Sequence, residues 1–309
     1  MKPLNLFHTS KPIWTPLLGT ARTFFALSSL ITLLFNSSND LFRPASGIAD
    51  FPLCVGWGEY SIFCLLSPML GLEVLRWICI AVLLIIISGV YPRITAFFQF
   101  WIAFSLFNSS IVVDGGDQVT LVASFLLLPM CLTDPRKNHW HQPNWHLEEQ
   151  SYYRKSIANV AWISLQIQAC IIYLEAFFVK FAVPEWANGT ALYYWLSDPI
   201  VGLGLYNDSF IYQNFLSNTF VISLLTWSVL ALEMLLFMGL LASSKNKTRL
   251  FVAGVAFHFM IILAHGLISF FMAMTGILML YLLDYKRFEN VKSWFKIREK
   301  QKSPVVLPD

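Results

Sequence analysis

Charged residues are scarce in this chain. Asp, Glu, Lys and Arg together make up 13% of its 309 residues, whereas hydrophobic residues make up 57%. An ordinary soluble domain contains about a quarter charged residues, and no polar stretch here is long enough to form a separate soluble domain. The composition therefore predicts one membrane domain at residues 1–285, followed by a basic cytoplasmic tail at 286–309.

Several motifs that would identify a function are also absent from the sequence. It has no zinc-peptidase H-E-x-x-H motif, no Walker loop, no C-x-x-C pair and no Ser-His-Asp order. A conventional membrane protease or an ATP-driven pump is therefore disfavoured, and we expect no nucleic-acid partner. The first apolar run ends without a small-residue cleavage pattern, so we expect it to remain as a membrane anchor.

Apolar runs of membrane-spanning length recur along the chain. A helix crosses the bilayer with about 20 apolar residues. The run at 250–283 is too long for one helix, and we divide it near Gly266 into two short spans. The other predicted spans are 17–35, 72–91, 94–113, the shorter 118–133, 157–182 and 215–242. The pattern predicts an all-α transmembrane bundle of about eight spans.

The positions of the basic residues predict the orientation of these spans. Of the 21 Lys and Arg residues, 17 fall in segments on one side and only Arg43 falls in a segment on the other. The positive-inside rule assigns the first side, with both termini, to the cytoplasm of a multi-pass cell-membrane protein. The outer segments 51–71 and 190–215 are apolar and aromatic, so we expect interfacial or re-entrant helices there, with amphipathic surface helices as an equal alternative.

Few ionisable residues lie inside the predicted spans. Each costs about 2.5–3.5 kcal/mol at the centre of the membrane on insertion scales, so each is a candidate functional residue. Glu73 and Arg76, at i and i+3, can pair on one helix face, and we interpret that pair as structural. The others are Arg22, Glu175, Lys180, Glu233, His258 and His265.

Lys180 lies near the outer end of its predicted span. Two interpretations are open: the ammonium reaches outward to the interface, or it is held away from water so that the amine acts as a base. Glu175 points about 140° away from Lys180 on a helix, so each of them needs a partner from another helix. On the same helix, Gln168 shares a face with Glu175, and Tyr173 shares a face with Lys180.

Two pairs of outer residues are further candidates. Cys54 and Cys64 lie where an oxidising compartment permits a disulfide, and the spacing leaves open whether they are bridged or remain packed thiols. Asp114 and Asp117 flank two glycines, which favours a tight turn between helices. The alternative is an outward-facing carboxylate pair beside Lys180 that binds a peptide amine or tunes the lysine.

The inner loop NHWHQPNWH contains His139, His141 and His146. Imidazole groups suit zinc or copper. However, no carboxylate or cysteine stands at a convincing spacing, and Pro and Trp favour an interfacial loop. We therefore predict no metal site in this loop.

The residues around Lys180 resemble a known family. They form the string Gln168–x4–Tyr173–x2–Ala176–x3–Lys180–x5–Trp186–x2–Gly189. This string resembles the segment of vitamin-K-dependent γ-carboxylases that contains their catalytic base lysine, and Lys180 falls on that lysine. The wider group is the HTTM, or horizontally transferred transmembrane, family. Glu233 and the later Phe257–His258 pair also fit this resemblance.

Within that group the chain is most similar to SdpB-type proteins. The similarity covers nearly the whole chain and includes TARTFFALSSLITLLFNSSNDLF and VVDGGDQVTLVASFLLLP. The chain departs from the carboxylases in three ways. It has one lysine where they have two in a row, it has one extra residue before Trp186, and it lacks their large soluble domain. These departures put γ-carboxylation itself in doubt.

The resemblance implies a function and a set of site residues. SdpB-type proteins act with a small companion protein in maturing a secreted antimicrobial peptide toxin, so a companion, the toxin precursor and membrane lipid are the expected partners. The implied catalytic residues are Lys180 as base, with His265, Glu233 and His258 as acid or supporting groups. The candidate binding residues are Asp114, Asp117, Gln168, Tyr173, Glu175, Trp186 and Arg22. The alternatives are a carboxylase-like enzyme that uses a reduced lipid quinone, and a non-enzymatic transporter, immunity protein or scaffold.

Overall fold

The described part of the chain is all-α, as predicted. The computed structural model describes residues 13–44, 47, 51–142, 152–203, 210, 216–286 and 288–289, and within them there is no strand beyond one isolated bridge between Val90 and Asn138. Nearly all of the predicted basic tail at 286–309 lies outside the described residues.

The long helices coincide with the predicted spans. In chain order the α-helices are α1 (Pro16–Phe35), α2 (Ser38–Leu41), α3 (Ile62–Leu70), α4 (Leu72–Ser88), α5 (Pro92–Ser109), α6 (Gly115–Leu132), α7 (Tyr152–Phe181), α8 (Pro184–Ala187), α9 (Ala191–Ser197), α10 (Thr219–Phe237), α11 (Ser244–His265) and α12 (Ile268–Leu282). Two 3₁₀-helices cover Gly56–Tyr60 and Met238–Leu241. Among the described residues, five helices are long and apolar enough to cross a membrane: α1, α6, α7, α10 with its 3₁₀ extension, and α11. Crossing by the shorter or more polar α4, α5 and α12 stays a prediction.

The predicted division of the run 250–283 falls at Gly266. There α11 ends, and Gly266 has a positive φ of 70°, which a residue without a Cβ adopts easily. Two residues later α12 begins and packs back against α11. The turn therefore produces the expected hairpin of helices.

The centre of the bundle is formed by α1 and α12. They pack against each other, and α12 is buried from Ala273 to Leu282. One apolar cluster joins α1 and α12 to α6 and α7, and a second joins α1 to α3, α4 and α5. By contrast, α10 and α11 expose large apolar side chains such as Trp227 and Phe259. Extensive apolar surface of this kind is expected where helices contact lipid.

The two outer segments form short helices. In 51–71, the first 3₁₀-helix and α3 are tied together by a disulfide between Cys54 and Cys64. Phe63 is buried in the second core cluster, while Trp57 and Met69 are exposed. The segment 190–215 contains α9, and 204–209 and 211–215 lie outside the described residues.

Candidate functional site

A cavity of about 550 Å³ lies among α6, α7, α10, α11 and α12. Both α7 and α11 pack against α10 and α12, and the cavity fills the space that these four helices surround. Its volume is within the roughly 300–1,000 Å³ range typical of ligand sites. Eight residues singled out in the sequence line it: Gln168, Tyr173, Glu175, Lys180, Trp186, Glu233, His258 and His265.

Lys180 forms an ion pair with a carboxylate of another helix. Its Nζ donates to Oε1 of Glu233 at 2.6 Å, which joins α7 to α10. The Lys180 side chain is 28% exposed and that of Glu233 is 4% exposed. The Lys180 ammonium also lies 5.6 Å from the centre of the Trp186 ring, close enough for a cation–π interaction. The amine is therefore held by residues of the cavity.

The direction of the Lys180 side chain follows from how α7 and α10 pack. Lys180 is the penultimate residue of α7, and Ala187 beyond it accepts a hydrogen bond from Trp227. Deeper in the bundle, Cys170 contacts the carbonyl of Phe237. The helices therefore run antiparallel, and Glu233 lies deeper than Trp227. The ammonium of Lys180 reaches inward to a buried carboxylate, whereas a snorkelling lysine would extend it outward.

A second polar pair crosses the cavity between α7 and α11. The hydroxyl of Tyr173 lies 3.1 Å from Nε2 of His258, and both side chains are buried. The His258 ring packs edge-on against Phe270 of α12, with 5.4 Å between ring centroids. Within the described residues, Oε2 of Glu233 and Nδ1 of His258 are buried without a hydrogen-bond partner. Buried polar atoms are seldom left unpaired, and these two belong to residues that line the cavity.

His265 lies at the cavity mouth. Its Nδ1 hydrogen-bonds to the carbonyl of Val201, and its ring contacts Trp195 edge-on at 5.7 Å. These contacts connect the end of α11 to the outer segment that follows α9. Sequence reasoning missed Trp195 as a lining residue. The only signal was the aromatic character of 190–215, which we interpreted as membrane-interface chemistry.

One wall of the cavity consists of polar side chains that have no partner among the described residues. Glu175 and Gln168, seven residues apart on α7, both line it, as does Gln118 of α6. Glu175 is exposed to the cavity space and does not reach Lys180, as their angular separation predicted. Gln118 had no distinguishing signal in the sequence.

Asp114 and Asp117 start helix α6. The Asp114 carboxylate accepts hydrogen bonds from the backbone N–H groups of Gly116 and Asp117, and the Asp117 carboxylate accepts one from the backbone N–H of Asp114. This capping box corresponds to the turn favoured from the sequence. Neither carboxylate lines the cavity, although Asp114 also accepts a hydrogen bond from Ser269 of α12. A Cβ on Gly116 would lie 2.6 Å from Cα of Phe270, so this glycine permits the close approach of α6 and α12.

The structure places Arg22 in a different network. Its Nε donates to Gln99 at 2.9 Å, one Nη donates to Thr95 at 2.8 Å, and the other lies 3.4 Å from Nδ1 of His139. Arg22 is 1% exposed and does not line the cavity. Its contacts hold α1 against α5 and the inner loop that follows α6.

The inner loop is folded tightly against the bundle. Arg136 pairs with Asp134 and donates to the carbonyls of His139 and His141. Burial, together with the nearby Arg22 and Arg136 charges, lowers the pKa of His139 to about 3, so its imidazole is neutral. Within the described residues no three potential ligands are grouped to hold a metal, and His146 lies outside those residues.

Sequence comparisons identify relatives along most of the chain. Over 270 residues, which are 87% of this chain, it is 36% identical to the uncharacterized protein YitO of Bacillus subtilis (strain 168), covering 85% of that protein. Over 270 residues it is also 33% identical to the sporulation-delaying protein SdpB of the same strain, covering 81% of it. No solved structure matches the chain. No family model matches it either, so the relation to the wider HTTM family stays a prediction. The identity to SdpB and the apolar helices lead to one conclusion: the chain is a membrane protein that belongs to the SdpB family.

Proposed function

We propose that this chain is a maturation factor that acts on a secreted peptide-toxin precursor through the cavity around Lys180. Membership of the SdpB family supports the general role, because the resemblance to SdpB-type proteins implies toxin maturation with a small companion protein. The observation that supports the site is the Lys180–Glu233 ion pair, which lies in a cavity whose polar atoms are only partly satisfied.

The ion pair can move a proton. Glu233 is positioned to take a proton from Lys180, since their nitrogen and oxygen are 2.6 Å apart. The neutral amine would then accept a proton from a substrate in the cavity, acting as a general base. Tyr173 and His258 would supply hydrogen bonds on the opposite side. A positioned base of this kind contributes roughly 10²–10⁴-fold to a rate.

The position of the cavity suits a secreted substrate. It reaches the end of the bundle where α6 begins and α11 ends, near Gly115 and His265. The basic residues Arg136, Lys137 and Lys245 lie at the opposite helix ends. Under the positive-inside rule the cavity end is extracytoplasmic, which is where a precursor exported from the cell would meet it.

A reduced lipid quinone is the second candidate ligand. The specific observation in its favour is that much of the cavity wall is apolar, with Ile172, Val229 and Phe257 among its lining residues. A quinone ring beside Lys180 would make the chain a redox enzyme of the type that the carboxylase resemblance implies. Maturation that continues in quinone-depleted cells would contradict this candidate.

The test is precursor processing in cells that carry Lys180→Ala or Lys180→Arg. The cells would co-express the chain with two proteins encoded by neighbouring genes, a small companion protein and a precursor that carries a signal peptide. The mature peptide would be quantified by mass spectrometry. We expect processing to fall at least about hundredfold in both variants, because arginine cannot serve as the base. Lys245→Ala is the matched control because Lys245 is exposed at the other end of the bundle.

Membrane abundance of each variant would be measured in parallel. Unchanged processing by both Lys180 variants, at normal abundance, would contradict a catalytic lysine. The remaining candidate would then be a non-enzymatic scaffold, in which the charged side chains only hold the helices together.

A further inference from the structure

Glu175 lines the cavity, and its carboxylate has no paired positive charge among the described residues. Glu175 lies on α7 between Gln168 and Lys180, and none of the described residues gives it a hydrogen bond or an ion pair. The nearest cation on its own helix, Lys180, is already bound to Glu233. A carboxylate on a membrane-spanning helix is costly without a partner, and none of the described residues provides Glu175 with a cation.

Two further acidic residues lie in described segments next to residues that line the cavity. Asp198, in the segment that contacts His265, accepts hydrogen bonds from the backbone N–H groups of Ile200 and Val201. These bonds lower the pKa of the exposed Asp198 carboxyl, so it is ionised at neutral pH. Glu185, in α8 beside Trp186, is also exposed. A cavity with acidic groups at its entrance concentrates cations and repels anions.

The buried atoms inside the cavity provide an independent observation. Oε2 of Glu233 has no partner within the described residues, on a side chain that is 4% exposed, and it can only accept a hydrogen bond when the carboxylate is ionised. Nδ1 of His258 is likewise unpartnered, on a residue that is 2% exposed. An ionised Glu233 therefore offers an acceptor that matches a ligand with N–H groups. An ammonium group has three such donors and a positive charge.

We infer that the cavity binds a primary ammonium group of its peptide substrate, either a lysine side chain or an amino terminus, with Glu175 as the counter-charge. The inference rests on the proposed function only in taking the substrate to be a peptide. Glu175 acts as a specificity-determining residue, and Lys180 remains the base. Asp114 and Asp117, the carboxylates first considered for this role, are occupied as helix caps.

The experiment measures binding by purified protein in nanodiscs of zwitterionic lipid, which does not itself attract cationic peptides. The probes are two fluorescein-labelled, N-acetylated tetrapeptides that differ only in one residue, lysine or the uncharged norleucine, and a third with a free amino terminus and norleucine. Fluorescence anisotropy gives each Kd. We expect the wild type to bind the lysine or free-amine peptide about tenfold more tightly than the uncharged one, with the preference weakening at high salt.

In Glu175→Gln, the ratio of the Kd for the uncharged peptide to the Kd for the charged peptide should fall to about one. The affinity for the uncharged peptide should not change. The matched control is Glu59→Gln, because Glu59 is an exposed outer carboxylate on the 3₁₀-helix that packs against α3 and α5. It should keep the full preference. The thermal midpoint of each variant in nanodiscs verifies folding. A wild type that does not discriminate, or a folded Glu175→Gln variant that still discriminates tenfold, would overturn the inference.

Processing by the Lys180→Arg variant separates the two proposals. If that variant loses processing while the wild type shows no charge preference, the catalytic proposal stands and the ammonium site fails. If processing persists while Glu175 controls a charge preference, the ammonium site stands and the catalytic proposal fails.

Discussion

Two buried polar networks in this protein differ in whether they border a cavity. Around Arg22, each nitrogen of the guanidinium has a partner, in Gln99, Thr95 and His139. Around Lys180, the ion pair with Glu233 leaves one carboxylate oxygen unpartnered within the described residues, next to a cavity of about 550 Å³. Within the same residues the first network also leaves one atom unpartnered, Nε2 of His139, but that network does not line the cavity, while the second borders space for another molecule.

The difference shows which observations point to a function. Both cations lie on apolar helices and both cost free energy to bury. Burial alone therefore does not separate a structural cation from a functional one. The cavity does distinguish the two networks, because Lys180 and Glu233 line it whereas Arg22 and its partners do not.

The largest effect on stability is expected at Arg22. Arg22→Met removes three hydrogen-bonded nitrogens and leaves Gln99 and His139 without their partner, so we expect a loss of about 3 kcal/mol in the free energy of unfolding. The measurement is thermal or denaturant unfolding in detergent. The double variant Lys180→Met/Glu233→Gln removes both charges of the other pair and should lose less than about 1 kcal/mol. If Arg22→Met and the double variant lost equal amounts of unfolding free energy, the distinction between the two networks would be contradicted.

Glu233 should affect activity more than stability. Glu233→Gln keeps the size of the side chain but removes the proton acceptor of Lys180, so we expect precursor processing to fall about hundredfold. Glu73→Gln is the control, because Glu73 pairs with Arg76 at the surface and the Arg76 guanidinium also donates to the carbonyl of Leu33. It should process normally. A normal rate in Glu233→Gln would remove the proton-transfer role.

The network around Arg22 should make the stability of the protein depend on pH, because it includes the titratable side chain of His139. Because its folded pKa of about 3 is below the ordinary value near 6.5, the unfolded chain takes up a proton first as the pH falls. Stability is therefore fully retained above about pH 6.5 and declines from there toward pH 3, by about 2 kcal/mol at pH 5 from this group. His139→Gln should show a smaller fall in thermal midpoint between pH 7 and pH 5. An identical fall would mean that other groups dominate.

The smallest effects are expected from the tyrosine hydroxyls. Tyr173→Phe removes the hydrogen bond to His258 and should cost about 1 kcal/mol of stability and about tenfold in processing. Tyr281→Phe removes hydrogen bonds to the end of α10 and should lower stability by a similar amount without changing processing. If both variants lose processing equally, the Tyr173–His258 pair has only a structural role.

The helices were largely predictable because apolar length and glycine conformation are local properties. The break at Gly266 and the start of α6 at Asp114 follow directly from such signals. The partner of Lys180 was not predictable, although the need for one was, since Glu233 is 53 residues away and only packing brings them together. The grouping of Arg22 with candidate ligand-binding residues has no support in the structure. From the sequence alone, a cation that is hydrogen-bonded by amide and hydroxyl groups of the protein cannot be distinguished from one that binds a ligand.

Gly116 has one more consequence. Its missing side chain lets Phe270 approach α6, and Phe270 in turn packs edge-on against the imidazole of His258. A single methyl group added at position 116 would meet the backbone of Phe270 and force α12 away from α6, which would displace this aromatic ring. The position of one cavity-lining ring thus depends on a residue that does not itself line the cavity, which makes position 116 a place where the shape of the cavity can be altered.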